Sequence, residues 1–198
     1  MFQSLVKGGW MMVPIALCSL VSVTLVVERF LFFRRMGRAH RGEEVLDLVH
    51  RQKIDQALAL ADGASLPIMR VLLAGLAHAS DPSGAMESAG VAELSLMRRG
   101  LPALDTIITL SPLLGLLGTI IGMIESFNIM AASGLNQPHA VTGGVAEALV
   151  CTAAGITVAI ITLIPYNYFS TRVEREAEAI EAYATRLEMA FARSKGQP

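Results

Sequence analysis

The sequence has 198 residues, of which 53% are hydrophobic and 17% are charged. Because soluble domains carry about 25% charged residues, this composition favours a membrane protein. The formal net charge is only −1, so the distribution of the charges is more informative than their sum. The sequence contains no phosphate-binding loop, zinc-ligand spacing or dinucleotide fingerprint, and we predict neither an enzyme nor a bound cofactor or metal. Cys18 and Cys151 fall inside apolar runs, so we expect them to pack as small hydrophobic residues.

The first apolar run, 10–27, contains no charged residue and is long enough to cross a hydrocarbon core of roughly 30 Å. Trp10 stands at its start, where an amphipathic indole ring favours the headgroup level. A secretory signal peptide is the alternative interpretation. Against it, only Lys7 precedes the run as a basic residue, and no small-residue cleavage site follows before Glu28. We predict a retained membrane-spanning helix over 10–33.

Two further apolar runs, 101–130 and 141–169, are each longer than a span needs. Asp105 lies near the start of the second run and Glu125 near its end, while Glu147 is the only charged residue of the third. Because both runs exceed the thickness of the hydrocarbon core, we expect the two helices to tilt or to extend beyond the bilayer.

The basic residues predict the orientation. They follow the first span, precede the second and follow the third, whereas the loop 131–140 has none. By the positive-inside rule, the N-terminal segment 1–9 and this loop are periplasmic, and the regions 34–100 and 170–198 are cytoplasmic. The flanking basic residues are Arg29, Arg34, Arg35, Arg38, Arg41, Arg98, Arg99, Arg172 and Arg175.

The region between the first two spans has helical periodicity. We predict short helices over 43–51 and 54–62, and a third that opens at Pro67. A turn over 81–84 then precedes a helix over 85–99. About 60 residues form a small core, so we expect this region to pack on the chain's own membrane helices or on neighbouring copies.

The C-terminal tail carries apolar residues at steps of four and three, which is a heptad pattern. Two interpretations stay open. In one, the tail forms an amphipathic helix that folds against the cytoplasmic region; in the other, the third span continues as a long helix that bundles with its equivalents in an oligomer. The stripe consists of Val173, Ala177, Ile180, Ala184, Leu187 and Phe191.

Small and hydroxylated residues recur along one face of the second and third spans. Lipid provides no hydrophobic drive for helix association, so small residues that allow close backbone approach are the usual contact device. We therefore predict that these residues pack the two spans tightly together or line a pore. They are Pro112, Gly115, Thr119, Gly122 and Ser126, flanked by Gly118, in the second span, and Gly144, Ala148, Thr152, Gly155, Ala159 and Thr162 in the third.

Packing alone does not explain Glu147. A charged residue at the centre of a membrane helix costs roughly 2.5–3.5 kcal/mol or more, and an apolar residue would pack as well without that cost. The carboxyl must take up a proton or meet polar partners in a water-filled cavity, which predicts a proton or cation path. The alternative is a structural hydrogen bond to a neighbouring helix. Thr152 lies about 140° from Glu147 around an ideal helix, so the two cannot face one narrow axis. Glu125 and Asp105 lie near the interfaces, where we predict structural or solvating roles.

Several of these residues fall in motifs shared with a known family. From Leu110 the sequence reads Leu-Ser-Pro-Leu-Leu-Gly-Leu-Leu-Gly-Thr, followed by Gly-Met-Ile-Glu-Ser-Phe at 122–127, Gly-Gly-Val-Ala-Glu-Ala-Leu at 143–149 and Thr-Ala-Ala-Gly at 152–155. With these motifs the chain resembles the ExbB/TolQ/MotA family of bacterial motor subunits, and most closely its ExbB and TolQ branch. The resemblance is dense over 85–175 and weak in the first span. MotA-type subunits have four spans, which argues against that branch.

The resemblance implies partners and site residues. ExbB-like proteins form pentamers around a pair of membrane helices from an ExbD-like or TolR-like partner, and a TonB-like or TolA-like protein passes the work to the outer membrane. In that picture Thr119, Glu147 and Thr152 match polar pore positions. Glu125 and Asp105 stand where relatives often have neutral residues, so the resemblance assigns them no role beyond a possible auxiliary one.

We therefore predict an all-α integral membrane protein with three spans, the second and third long and extending into the cytoplasm, and a small helical cytoplasmic region. Its predicted function is that of a proton-channel motor subunit of the bacterial inner membrane, which energises TonB-dependent transport. A Tol-Pal envelope component and a gliding or defence stator are alternatives within the family. A passive membrane scaffold without ion conduction is the alternative from a different class.

Overall fold

A computed structural model describes residues 9–36, 41–61, 66–78, 80–133 and 138–195, with side chains described for 9–36, 42–61, 66–78, 80–131 and 142–192. Lys7, Arg38 and residues 134–137 of the loop 131–140 lie outside these ranges. Within them the chain is all-α, as predicted, without a strand. The helices are α1 (Met12–Arg35), α2 (Arg41–His50), α3 (Ile54–Ala61), α4 (Pro67–Ala77), α5 (Pro82–Arg98), α6 (Leu101–Ser133) and α7 (Pro138–Lys195).

Three stretches of helix are long and apolar enough to cross a membrane. The first, Met12–Arg35, is α1. The second, Pro82–Ala131, covers α5 and most of α6, and the third, Thr142–Ala192, lies within α7. The predicted number of membrane-spanning helices is thus confirmed. The chain divides into two compact units. The first unit is Met1–Arg29 with Gly100–Tyr168, and the second is Phe30–Arg99 with Phe169–Pro198.

The second unit is built around an apolar core to which α2, α3, α4, α5 and the C-terminal part of α7 contribute. From α7, Ile180, Leu187 and Ala190 are buried in this core, and Ala184 and Phe191 pack against it. This decides between the two interpretations of the heptad stripe. The third span does continue as one long helix, but its stripe is buried within its own chain. The region between the first two spans, of about 60 residues, is small for a core of its own, and this helix completes that core.

Two ion pairs join helices of the second unit. The Arg186 guanidinium donates hydrogen bonds of 2.7 and 2.8 Å to the two carboxylate oxygens of Glu43, which links α7 to α2. These hydrogen bonds hold the pKa of Glu43 below its ordinary value and raise the pKa of Arg186. The Tyr183 hydroxyl also donates to Glu43, at 3.3 Å. The second ion pair, at 2.8 Å between Arg70 and the largely buried Glu93, joins α4 to α5.

The helix boundaries of the second unit follow their capping residues. α2, α3 and α4 lie within two residues of their predicted limits, and Pro67 opens α4 as expected. The predicted turn over 81–84 is wrong, because α5 begins at Pro82. The Asp81 carboxylate accepts a hydrogen bond of 3.1 Å from the Gly84 amide and so caps the helix. At the other end, Gly100 adopts a φ of 80°, which glycine takes at little cost.

In the first unit, α1 packs against α7. The hydroxyls of Ser22 and Thr162 are buried and lie 2.6 Å apart. Since Thr162 donates its proton to the Val158 carbonyl, Ser22 is the donor between the two helices. Met12 and Ile15 of α1, together with Met11 just before it, form a buried apolar cluster with Cys151 of α7. Cys151 therefore packs as a small apolar residue, as predicted.

The buried stripe of α7 generates a stability prediction. Leu187 is fully buried, so Leu187→Ala should cost about 2–5 kcal/mol, because it removes apolar contacts and leaves a cavity. We expect a clearly lower midpoint of thermal unfolding for the full chain purified in detergent. Met189, two residues further and 54% exposed, provides the control. If Met189→Ala lowers the midpoint as much as Leu187→Ala, the stripe does not pack as described.

Candidate functional site

The site rests on a close contact between α6 and α7. A Cβ atom added at Gly115 would lie 2.9 Å from the Thr152 Cα, and one added at Gly122 would lie 2.9 Å from the Ala148 Cβ. A Cβ at Gly155 would collide with the Ser111 carbonyl oxygen. The Thr152 hydroxyl also donates a hydrogen bond of 2.9 Å to the Gly115 carbonyl. The predicted tight packing of the second span on the third is thus what the structure shows.

The contact face of α6 differs slightly from the predicted stripe. It runs through Ser111, Gly115, Gly118, Gly122 and Ser126, all buried except the half-buried Gly122. Gly118, which we expected to flank the stripe, lies within it, because the Cys151 sulfur would be 2.6 Å from a Cβ there. The observed face follows steps of four and three residues from Ser111, whereas the predicted stripe starts one residue later, at Pro112. The residues that it placed on the face instead, Pro112 and Thr119, are only half-buried.

A cavity of about 380 Å³ lies between the start of α1, the C-terminal half of α6 and the N-terminal half of α7. Two carboxylates line it, Glu125 from α6 and Glu147 from α7. Small residues of the α6–α7 contact form much of the remaining wall. They are Gly118, Gly122, Ser126, Gly144 and Ala148, and Gly143 adds to them. The structure therefore brings together two acidic residues that the sequence interpretation had treated separately.

Glu147 is exposed towards this cavity rather than fixed to another helix. Its carboxylate oxygen Oε1 lies against the backbone of Gly9, where an added Cβ would be only 2.6 Å away. Within the described part of the chain, no residue donates a hydrogen bond to Glu147. The alternative of a structural hydrogen bond to a neighbouring helix is thus not what the described residues show.

The other candidate residues lie apart from the cavity. Thr152 bonds to α6 and Thr119 donates to the Leu116 carbonyl of its own helix at 2.7 Å. Thr152 and Glu147 therefore do not share one site, in agreement with their spacing of five residues. Asp105 is exposed on α6, 20 residues before Glu125, which is about 30 Å along an ideal helix. The cavity wall also includes Gly9, Trp10 and Met11. The sequence marked Trp10 as an interfacial residue, but it gave no signal for Gly9 or Met11.

Comparison with known proteins assigns the family. Residues 64–182 match the model of the MotA/TolQ/ExbB proton channel family. The chain belongs to this family. It is 38% identical to a putative biopolymer transport protein, ExbB-like 3, of Synechocystis, over 96% of the chain and 95% of that protein. It is 31% identical to the biopolymer transport protein ExbB of Salmonella typhimurium, over 82% of the chain and 72% of that protein. The Tol-Pal system protein TolQ of Pseudomonas aeruginosa is 28% identical, over 86% of the chain and 84% of that protein.

These relatives confirm the resemblance found in the motifs. Together with the three apolar helices, they make this family member a multi-pass protein of the inner membrane and a subunit of proton-channel type. The family is one of transport subunits rather than of enzymes. The matched region includes α4 to α6 and the part of α7 that lines the cavity, so it covers the walls that α6 and α7 form but not Gly9, Trp10 and Met11.

The α6–α7 contact can be tested at Gly155. Gly155→Ala places a methyl group against a backbone carbonyl of α6, which cannot move aside without separating the helices. We expect it to destabilise the protein by roughly 1–3 kcal/mol, as overpacking does. Gly143→Ala is the matched control, because nothing lies within 4 Å of a Cβ there. Thermal unfolding in detergent compares the two, and equal midpoints for both variants would contradict the close contact.

Proposed function

We propose that this chain is the channel-forming subunit of a proton-driven motor in the bacterial inner membrane. Copies of the chain, five in the proposed assembly, surround a single-span partner of the ExbD or TolR kind, and proton flow through the ring does work at the outer membrane through a TonB-like or TolA-like protein. The observation that carries the proposal is the Glu147 carboxylate, which lies on a cavity between three apolar helices.

The depth of Glu147 supports an ion pathway. The residue lies six positions after the start of the proposed span 141–169, which is roughly 9 Å along the helix. A carboxylate there is costly unless it meets water or a proton, and the cavity provides the room. A proton that crosses the membrane releases about 2.3 kcal/mol per 100 mV, so a group that takes up and releases protons at this depth can drive a mechanical step.

Two hydroxyls extend the proposed pathway beyond Glu147. Thr119 and Thr152 each donate to a backbone carbonyl in the single chain. A hydroxyl oxygen that donates one hydrogen bond still has lone pairs with which it can accept another. We propose that these two oxygens act as waypoints for protons. The glycines of the α6–α7 contact keep both helices in place around the pathway.

The two remaining carboxylates have auxiliary roles in the proposal. Glu125 shares the cavity with Glu147 and draws cations towards it. Asp105 lies at the opposite end of α6, where the proposed orientation places the cytoplasmic surface. There we propose that it has a structural or solvating role.

The proposed orientation follows the basic residues. Segments 1–9 and 131–140 are periplasmic, and 34–100 and 170–198 are cytoplasmic, with spans over 10–33, 101–130 and 141–169. In this orientation the cavity, which contains Trp10 and Ile129, opens towards the periplasm, from which protons flow inwards. The second unit, with its separate apolar core, then forms the cytoplasmic part.

The load of the proposed motor is TonB-dependent transport. Relatives whose names state biopolymer transport are 38% and 31% identical, against 28% for the Tol-Pal protein of Pseudomonas aeruginosa. A role as a Tol-Pal component is the second candidate, because that relative matches 86% of the chain. A neighbouring gene that encodes a one-span protein with a membrane aspartate would support either motor over a passive scaffold. The periplasmic domain of that protein would then distinguish a TonB-dependent system from a Tol-Pal system.

The central experiment replaces the Glu147 carboxyl by an amide. Glu147→Gln keeps the size and polarity of the side chain but cannot carry a proton, so we expect proton flux to fall to background while assembly survives. Flux is measured with a pH-sensitive dye in proteoliposomes that contain the chain and its one-span partner. Glu174→Gln, an exposed carboxylate of α7 in the second unit, is the control. Unchanged flux in Glu147→Gln removes this residue from the mechanism and favours the scaffold.

A second variant tests Glu125 in the same assay. Glu125→Gln removes one of the two negative charges that line the cavity, so the local attraction for cations falls. We expect proton flux to decrease by about tenfold or less without being abolished, and to decrease most at low ionic strength, where the charge is least screened. A flux equal to that of the unsubstituted protein at every ionic strength assigns Glu125 a solvating role only.

A further inference from the structure

The start of α1 is fixed against both helices that carry the cavity. Met11 is 6% exposed and belongs to a buried cluster that includes Cys151 of α7. The Met11 Cβ also lies 3.5 Å from where a Cβ at Gly118 of α6 would be. Because Met11 is held by both neighbours, the residues just before it have a defined place beside the cavity.

Gly9 lies beside the Glu147 carboxylate. A Cβ added at Gly9 would lie 2.6 Å from the Glu147 Oε1 and 3.6 Å from its carboxyl carbon. Carbon and oxygen atoms without a bond do not approach so closely, so a side chain at this position and the present position of the carboxylate exclude each other. The backbone also requires glycine, since Gly9 has a φ of 65°, which L residues rarely adopt.

We propose that Gly9 is a positioning residue for the Glu147 carboxylate, and that the segment just before α1 is therefore part of the ion site. The absence of a Cβ lets the carboxylate lie against the backbone of this segment at the cavity wall. This inference rests on the proposed function, in which Glu147 carries protons. It goes further by assigning to the residues that precede the first span a part in the site.

The contact limits what a substitution can do. Glu147 Oε1 is the far end of a flexible side chain, so a methyl group at Gly9 displaces the carboxylate and leaves the helices where they are. Proton transfer depends steeply on the position of the group that takes up the proton. A change at Gly9 should therefore act on the chemistry of Glu147, with the backbone strain of an L residue at a φ of 65° as its only other effect.

The test uses Gly9→Ala with Gly100→Ala as the matched control. Both glycines have a positive φ, 65° and 80°, so both substitutions strain the backbone, but Gly100 does not line the cavity and a Cβ there would lie 3.4 Å from Leu25. We expect Gly9→Ala to reduce proton flux about tenfold or more, as a displaced reacting group does, while Gly100→Ala stays near the unsubstituted value. Thermal unfolding in detergent should give midpoints that are lowered by a similar amount in the two variants.

A second measurement reads the carboxylate itself. A hydrophobic carbodiimide modifies carboxyl groups within membranes, and mass spectrometry measures the rate of modification at Glu147. We expect a severalfold change of this rate in Gly9→Ala and none in Gly100→Ala. An unchanged rate and flux in Gly9→Ala overturns the inference, and so does an equal loss of flux in both variants, which indicates an effect of backbone strain alone. If Glu147→Gln conducts normally, the proposed function fails, while the modification rate still decides whether Gly9 positions the carboxylate.

Discussion

The backbone contact between α6 and α7 is the constraint on which the site depends. At Gly115 and Gly155 the two helices are so close that a single methyl group would meet backbone atoms of the other helix. In a membrane, helices this close make more dispersion contacts with each other than either would make with lipid tails. It also fixes the rotation of both helices. Glu125 and Glu147 thereby face one cavity, although neither is needed for the contact itself.

The sequence predicts most of the fold because the dominant signals are local. Three apolar runs without basic residues identify the spans, and Pro67 identifies the start of α4 through its missing amide hydrogen. The start of α5 was misjudged because Asp-Pro-Ser-Gly is typical both of a turn and of a capped helix start. Only the hydrogen bond from the Gly84 amide to Asp81 separates the two. The packing partner of the α7 stripe was equally undetermined, since a heptad pattern shows that a face is buried but not against what.

The candidate site was predictable only in part, for a similar reason. Glu147 stands out because a carboxylate within an apolar helix carries a desolvation cost that the sequence alone reveals, whatever the packing partners are. The residues around it depend on contacts between distant segments, such as Gly9 with Glu147 and Cys151 with Gly118. A glycine before an apolar run has no periodicity to interpret. The predicted contact face of α6 included Pro112 in place of Ser111, because both residues fit a spacing of three or four residues before Gly115. Only the position of α7 distinguishes them.

A passive scaffold would gain nothing from the arrangement at the cavity. An open space beside Gly143 and two carboxylates within apolar spans coincide there. An apolar residue at Glu147 would avoid the desolvation of a charge at that position. A cavity alone could reflect loose packing, and a carboxylate alone could reflect a hydrogen bond between helices. Their coincidence favours a place where water and protons reach the membrane interior, because a proton path requires the space and the carboxylate together.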